Sequence, residues 1–322
     1  MSRLALVGDI GGTNARFGLA ELDGPGLRVR TPVGLKVADF PRASDAIAAF
    51  LATQGLTRPP QVAVIAVAGP VQQGAIDFTN SDWLLSESDL LGLGCEGARL
   101  INDYAALALA APLFSGDDLR TVGPAVPGQE GGTIAVLGPG TGFGVSALVR
   151  DGDGEAVLSG EGGHIGFSPT DEIEVELLAR LSARHGRVSV ERILSGAGLD
   201  DLHECLQAME GRAPEAAAPA RITAAALAGD PSALRSVERF CAILGSVAGD
   251  FALAYGATGG VLVAGGIAPR IIDILQTSAF RERFEAKGRF RDYLAAVPTR
   301  VITRPHAALL GAARAAAALA SG

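Results

Sequence analysis

Lysine is almost missing from this chain. Of its 322 residues 27 are basic, and only Lys36 and Lys287 among them are lysines. Neither stands in a G-x-x-x-x-G-K-[ST] loop, which excludes a Walker phosphate loop, and neither stands in a V-A-I-K strand, which speaks against a protein-kinase fold. Cysteine is scarce as well. Cys95, Cys205 and Cys241 are far apart and odd in number, so they make neither a disulfide framework nor a zinc site and read as small buried hydrophobes. Charged residues are only 19% and the net charge is −8, so the cations that neutralise a phosphate backbone are lacking and no nucleic-acid partner is expected. One long uncharged run, Phe251 to Pro269, breaks at Gly256 and at Thr258-Gly259-Gly260, and reads as a helix end, a turn and a short strand rather than a membrane span. Met1-Ser2-Arg3-Leu4 runs straight into a strand pattern and leaves no room for a signal peptide. The expectation is a soluble, cytoplasmic protein with no membrane partner.

Glycine and apolar residues are abundant: 43 glycines, and 48% hydrophobic residues, far too apolar for a disordered chain. The length suggests about two domains. Leu4 to Val7 is an apolar run ending in Gly8-Asp9-Ile10-Gly11-Gly12-Thr13-Asn14, after which Ala15, Phe17 and Leu19 alternate with Arg16, Gly18 and Ala20, so the glycine turn joins two strands. Gly24-Pro25-Gly26 marks a further turn, Leu27 to Val37 a third strand, and Ser44 opens a helix with Ile47, Phe50 and Leu51 on one face. Val62 to Ala68 is a β-branched run covered on both faces, ending at Gly69-Pro70. Alternating strands and helices of this kind argue for an α/β architecture.

The same order then returns. Thr133 to Leu137 is a strand ending in Gly138-Pro139-Gly140-Thr141-Gly142-Phe143-Gly144, a strand follows with Val145, Ala147 and Val149 alternating, and Val261 to Ala264 is a buried strand ending in Gly265-Gly266. Gly12-Thr13 and Gly140-Thr141 correspond, which reads as an internal duplication, against the plain alternative that Gly-Thr turns are common in a glycine-rich chain. Ser168-Pro169-Thr170-Asp171 reads as N-cap, proline at N1 and carboxylate at N3 of a helix with Ile173, Leu177 and Leu181 on its apolar face. Leu234, Val237, Cys241, Leu244, Ala248, Phe251 and Tyr255 mark one long helix stopped by Gly256. Pro214, Ala216 to Ala218 and Pro219 look like a loose connection, and Ala312 to Ala320 is an alanine-rich helix that needs something to pack against.

Four places offer chemistry. A glycine turn exposes successive backbone N–H groups and so makes an anion-binding concavity, and the Gly-Thr turns, with Asp9 able to hold Mg²⁺ through water, suit the phosphates of one nucleotide. A dinucleotide loop would open a helix, whereas a strand follows here, and a ligand-free hairpin is the bland reading. Asn102-Asp103 ends a strand and begins a helix, where α/β sheets place ligands, although N-capping alone would explain the pair. In Ser159-Gly160-Glu161-Gly162-Gly163-His164 the carboxylate and imidazole could grip adjacent hydroxyls, or be solvated. Glu191, in Ser189-Val190-Glu191-Arg192, could reach a substrate or simply complement a helix dipole behind a Ser189 cap. Thr79-Asn80-Ser81-Asp82 is turn-forming, and Trp83 beside it either lines a pocket or belongs to a plain loop.

These residues resemble the bacterial glucokinases, members of the actin, sugar kinase and Hsp70 superfamily. Gly8-Asp9-Ile10-Gly11-Gly12-Thr13-Asn14-Ala15-Arg16 is similar to their first phosphate motif and Leu137 to Gly144 to the second. Ile101-Asn102-Asp103-Tyr104 resembles the motif of the catalytic Asp, Gly160-Glu161-Gly162-Gly163-His164 the sugar loop, Ser189 to Gly196 the segment of the last sugar carboxylate, and Ala264-Gly265-Gly266-Ile267 the adenosine motif. Lys287-Gly288-Arg289-Phe290 also belongs to the family pattern. The likeness runs from about residue 4 to residue 311 in the right order. Two departures, Gly166 where relatives often carry Asp and Ala308-Leu309-Leu310-Gly311 for a more usual Gly-Leu-Leu-Gly, bear on sugar preference and domain packing. The repressor, open-reading-frame and kinase branch has a Cys-rich zinc motif after its sugar His, and no Cys lies between Cys95 and Cys205.

The resemblance implies a two-domain α/β sugar-kinase fold: duplicated ribonuclease-H-like domains, 1–110 plus 300–322 and 111–299, with a ligand cleft between them. It implies ATP:D-glucose 6-phosphotransferase activity with Mg²⁺, the first step of glycolysis. Asp103 would be the base for the 6-hydroxyl, Asn102, Glu161, His164 and Glu191 would bind the other hydroxyls, and Gly8, Asp9, Ile10, Gly11, Gly12, Thr13, Gly140, Thr141, Gly265 and Gly266 would line the nucleotide. A homodimer is expected on the same ground. The rivals are a kinase for another hexose (fructose, mannose or an amino sugar) and a non-catalytic sugar sensor or repressor. The latter would need a DNA-binding module, and no helix-turn-helix stands ahead of Leu4.

Overall fold

The structure, a computed structural model, describes residues 3–23, 26–78, 82–152, 154–213 and 216–321. Gly24-Pro25, Thr79-Asn80-Ser81 and Pro214, read above as turn or loop, lie outside the described residues. The chain divides into two compact units, Met1–Ser115 with Arg304–Gly322, and Gly116–Thr303.

In the first unit β1 (Leu4–Ile10) turns back into β2 (Asn14–Glu21), and β3 (Arg28–Lys36) pairs antiparallel on the outside. Helix α1 (Ala43–Thr53) leads to β4 (Val62–Val67), which is parallel to β1. A ribbon of β5 (Ala75–Asp77) and β6 (Leu84–Ser86) and the short α2 (Glu87–Gly92) precede β7 (Gly97–Asn102), which extends the sheet parallel to β4 and runs directly into α3 (Asp103–Ala110). The sheet order is β3-β2-β1-β4-β7. Strand side chains alternate between two buried faces. Leu6, Ile10, Ile65 and Phe17 pack with Ile47 and Phe50 of α1, whereas Ala5, Val7, Val64 and Ala66 pack on the other side with Ala106, Leu309 and Ala312. The helix read as opening at Ser44 opens one residue earlier behind Arg42, which places Ala43 in the core beside Ile47, Phe50 and Leu51.

The second unit repeats this plan. After β8 (Leu119–Thr121), β9 (Ile134–Pro139) turns into the antiparallel β10 (Phe143–Asp151), followed by β11 (Gly154–Gly160). Five helices come next: α4 (Glu172–His185), α5 (Val190–Ile193), α6 (Gly196–Met209), α7 (Pro219–Leu227) and α8 (Pro231–Tyr255). The chain re-enters the sheet as β12 (Gly260–Val263), parallel to β9. It then passes α9 (Ile272–Thr277), α10 (Phe280–Glu285) and α11 (Arg291–Ala295) to β13 (Thr299–Ile302), parallel to β12. The order β11-β10-β9-β12-β13 reproduces that of the first unit, strand for strand and direction for direction, with β8 added antiparallel at the edge. The duplication read from the Gly-Thr turns is thus a duplication of topology.

The long helix ends as its spacing predicts, at Gly256 in the left-handed region with φ 58°. One helix start differs. Asp171, not Ser168, caps α4 by accepting from the Glu174 N–H, and Ile173 is exposed while Glu174 is buried beside Leu177 and Leu181. The buried carboxylate accepts from the Thr170 N–H and is paired with Arg239 of α8 and Arg283 of α10, which satisfies a charge that the helix face alone would reject. All three cysteines are buried and free, and burial pushes the Cys241 thiol up to about 12 and that of Cys95 to about 11. The final helix α12 (Ala307–Ser321) belongs to the first unit, where it packs on α3, β1 and β4, the partners its alanine surface requires. Among the described residues no helix is long and apolar enough to cross a membrane.

Candidate active site

In the first unit the register puts Ile10, Val67 and Asn102 side by side across three parallel strands. The segments that follow each of them, Gly11–Thr13, Ala68-Gly69 and Asp103, therefore emerge together at the carboxyl end of the sheet, where open α/β sheets bind ligands. The Gly11 N–H is used within the turn, donating to the Asn14 carbonyl at 3.0 Å. Those of Gly12 and Thr13 make no backbone hydrogen bond among the described residues. They are the exposed donors an anion would take.

Asp9, the penultimate residue of β1, faces Arg16 across the hairpin, with Nη1 to Oδ2 at a loose 3.5 Å. Burial pushes its carboxyl above the ordinary aspartate range, against the pull of Arg16 and His306. Asn102 caps α3: its Oδ1 accepts from the N–H groups of Tyr104 and Ala105, and its Nδ2 reaches the Gly69 carbonyl at 3.3 Å. The capping reading of Asn102 is what the structure shows, and Nδ2 carries a second N–H that the Gly69 bond does not use. Asp103 stands at the first position of the helix, where the N-terminal dipole favours its ionised form. Trp83 is buried, and its indole N–H donates to the Phe40 carbonyl at 2.9 Å.

The second unit carries the equivalent turn. Gly140 N–H donates to the Gly142 carbonyl at 2.8 Å, and the N–H groups of Thr141 and Gly142 make no backbone hydrogen bond among the described residues. Leu137, Val263 and Val301 are in register, so this turn and Ala264-Gly265-Gly266 share one end of the second sheet. Gly138 is obligatory there, since a Cβ would overlap the Ala264 carbonyl, and Gly265 holds a φ of 88°.

Glu161 precedes and His164 ends a single turn of 3₁₀ helix after β11. Their side chains are both 59% exposed, with Nε2 to Oε2 at 4.0 Å, so the pair is open to a ligand. Glu191 lies in the first turn of α5 with Ser189 as its cap, as the bland reading has it, but its carboxylate does something further. Oε2 accepts from the Phe143 N–H, at the end of the phosphate turn, at 2.9 Å. Arg187, which no sequence pattern singles out, donates to the His164 carbonyl at 2.8 Å. Ile165 and Val188 add backbone bonds to Val190 and Phe167, so the sugar loop and the Glu191 segment are tied together. Asp103 and Asn102 thus sit in one unit, and Glu161, His164 and Glu191 in the other. Among the described residues no group of three or more His, Cys, Asp or Glu is placed to hold a metal.

Two sheets of the same order, each turning over a glycine hairpin with N–H groups that make no backbone hydrogen bond among the described residues, suit the binding of phosphates, and the comparisons with known proteins give the class: a sugar kinase of the actin-like fold. A family model described as Glucokinase matches residues 6–319. The chain belongs to the glucokinase family. It is 54% identical over 311 residues to a glucokinase of Caulobacter sp. (strain K31), covering 96% of this chain and 94% of that one. Among solved structures, a glucokinase from an Antarctic psychrotroph aligns over 100% of both chains at 37% identity with a TM-score of 0.89. A glucokinase of the ROK family from Streptomyces griseus, in complex with glucose and AMPPNP, shares the fold at 21% identity, with a TM-score of 0.65 over 97% of this chain and 99% of that one.

Proposed function

We propose that this protein transfers the γ-phosphoryl group of ATP to the 6-hydroxyl of D-glucose, giving glucose 6-phosphate and ADP. The observation that carries the reading is the alignment of Asp103 with the Gly11–Thr13 turn at the carboxyl end of the parallel strands β1, β4 and β7. Family membership over nearly the whole chain supports the substrate pair. Asp103 accepts the proton of the 6-hydroxyl as that oxygen attacks phosphorus, and the dipole of α3 keeps the carboxylate ionised until then. Phosphoryl transfer asks for positioning and charge stabilisation more than covalent chemistry. The N–H groups of Gly12, Thr13, Thr141 and Gly142 are fixed dipoles suited to that task. Glu161, His164 and Glu191 hold the remaining hydroxyls. Gly265 and Gly266 leave room for the adenosine.

The residues present fit a Mg²⁺ ion that arrives with the nucleotide. Asp9 is a single, loosely paired carboxylate whose burial is unfavourable without a further positive charge, and Mg²⁺ keeps most of its water when one carboxylate holds it. The metal supplies neutralisation of phosphate charge. On the strength of the family resemblance we place the enzyme in the cytoplasm, as a homodimer, at the entry to glycolysis, with the units Met1–Ser115 plus Arg304–Gly322 and Gly116–Thr303 as its two domains.

Coupled measurement of ATP consumption across a panel of hexoses tests the reading. Turnover greatest on glucose is expected. Preference for fructose, mannose or an amino sugar would reassign the substrate, and no turnover on any sugar would favour a sensor.

A further inference from the structure

The sugar-binding segment and the second phosphate turn are joined through one side chain. Glu191 Oε2 accepts from the Phe143 N–H at 2.9 Å, and Oε1 makes no bond among the described residues. The same segment returns to the turn a few residues on, where Gly196 N–H donates to the Gly140 carbonyl at 3.0 Å. The approach is close on both sides of Phe143. A Cβ on Gly142 would overlap Glu191 Oε2, and a Cβ on Gly163 of the sugar loop would overlap the Phe143 carbonyl. On its far side, Glu191 is held to that loop by Val190 N–H on the Ile165 carbonyl at 2.9 Å and by Arg187 on the His164 carbonyl. Sugar loop, Glu191 segment and phosphate turn therefore form one hydrogen-bonded assembly within the second unit.

We infer that Glu191 couples the two ligands: a sugar hydroxyl on Oε1 fixes the carboxylate, and through the Phe143 N–H that fixes the Thr141 and Gly142 donors for the nucleotide. The inference rests on the proposed sugar role of Glu191 and extends it. An ionised carboxylate accepts at both oxygens at once, so the two bonds reinforce rather than compete. Ordering that one ligand has already brought about is ordering the second need not repeat, which gives positive cooperativity, and linkage makes the effect reciprocal.

The test is calorimetric titration of AMPPNP, in the presence of Mg²⁺, into the full chain with and without saturating glucose. In the wild-type protein glucose should tighten AMPPNP binding by about 5- to 150-fold, the usual span of such couplings. In Gly142→Ala, whose new methyl group displaces the carboxylate, the ratio should fall towards one. In Glu191→Gln the amide oxygen still accepts from Phe143, so glucose should bind more weakly while the ratio is retained. A ratio as large in Gly142→Ala as in the wild type, or a ratio of one in a wild-type protein that binds both ligands, would overturn the coupling and leave the proposed function standing. A wild-type protein that binds no glucose would overturn the proposed function itself. If Gly142→Ala takes up no nucleotide, amide exchange of the Gly140–Gly144 segment on adding glucose alone decides. Slowing in the wild type and none in the variant is expected, and equal slowing in both contradicts the coupling.

Discussion

Gly311 of α12 lies directly against the Ala106 carbonyl of α3, so closely that a Cβ on Gly311 would overlap that oxygen. The two helices can touch backbone to backbone only because this position carries no side chain. Since α3 begins with Asp103, the fit sets the axis of the helix that presents the proposed base. Gly311→Ala forces the helices apart, and overpacking of this kind costs about 1–3 kcal/mol. We expect urea denaturation to show that loss, together with a lower kcat. Unchanged stability and kcat would mean that the contact is slacker than the structure shows.

Asp9 connects stability to pH in an unusual direction. Its carboxyl titrates above the ordinary range because burial disfavours the charge, so the folded state holds the proton longer than the unfolded chain does. Stability from this group is therefore full at low pH and is lost as pH rises from the ordinary aspartate range through the raised value. Asp9→Asn removes the dependence. Without ligands, the variant should gain on the wild type in urea denaturation as pH rises towards neutrality, while its kcat with ATP falls. A gap between the two that does not change with pH would contradict the assignment.

The cluster of Asp171, Glu174, Arg239 and Arg283 behaves oppositely. Burial raises the Asp171 carboxyl, but hydrogen bonds from the Glu174 N–H, Arg239 and Arg283 outweigh it and hold the group below the ordinary range. Its contribution is present above that range and is lost as pH falls through the lowered value. Removing one partner of a buried ion pair costs about 3–5 kcal/mol, and Glu174→Ala, which leaves Arg239 and Arg283 to share the Asp171 carboxylate alone, should show a loss at the lower end of that range. Thermal unfolding near neutral pH checks it, and a loss under 1 kcal/mol would show that the arginines find other acceptors.

What the sequence made legible, and what it hid, follows the range of the interactions involved. The first hairpin, the β-branched strand at Val62 and the long helix ending at Gly256 are local patterns, and each stands where its pattern puts it. The start of α4 does not. Periodicity favours Ile173 over Glu174 for the core, and only the arrival of Arg239 and Arg283, far along the chain, makes the reverse arrangement stable. Glu191 stands out as a candidate in the sequence, but its tie to the phosphate turn is hidden in the same way. Its local neighbourhood supports the capped first turn that forms, but its hydrogen bond to Phe143 spans 48 residues and leaves no trace in either segment. Arg187 has no sequence signal at all, because what it binds is a carbonyl.

The central claim is that Asp103 is the base for phosphoryl transfer to the 6-hydroxyl of glucose. The most direct measurement is the rate of glucose 6-phosphate formation by the wild type and by Asp103→Asn, at saturating ATP and glucose, with circular dichroism to confirm the fold of both. The asparagine fits the same position at the head of α3 and cannot take a proton, so kcat should fall by about 10²- to 10⁴-fold in a folded protein that still binds glucose. A variant turning over at the wild-type rate would remove Asp103 from the role and the proposed mechanism with it.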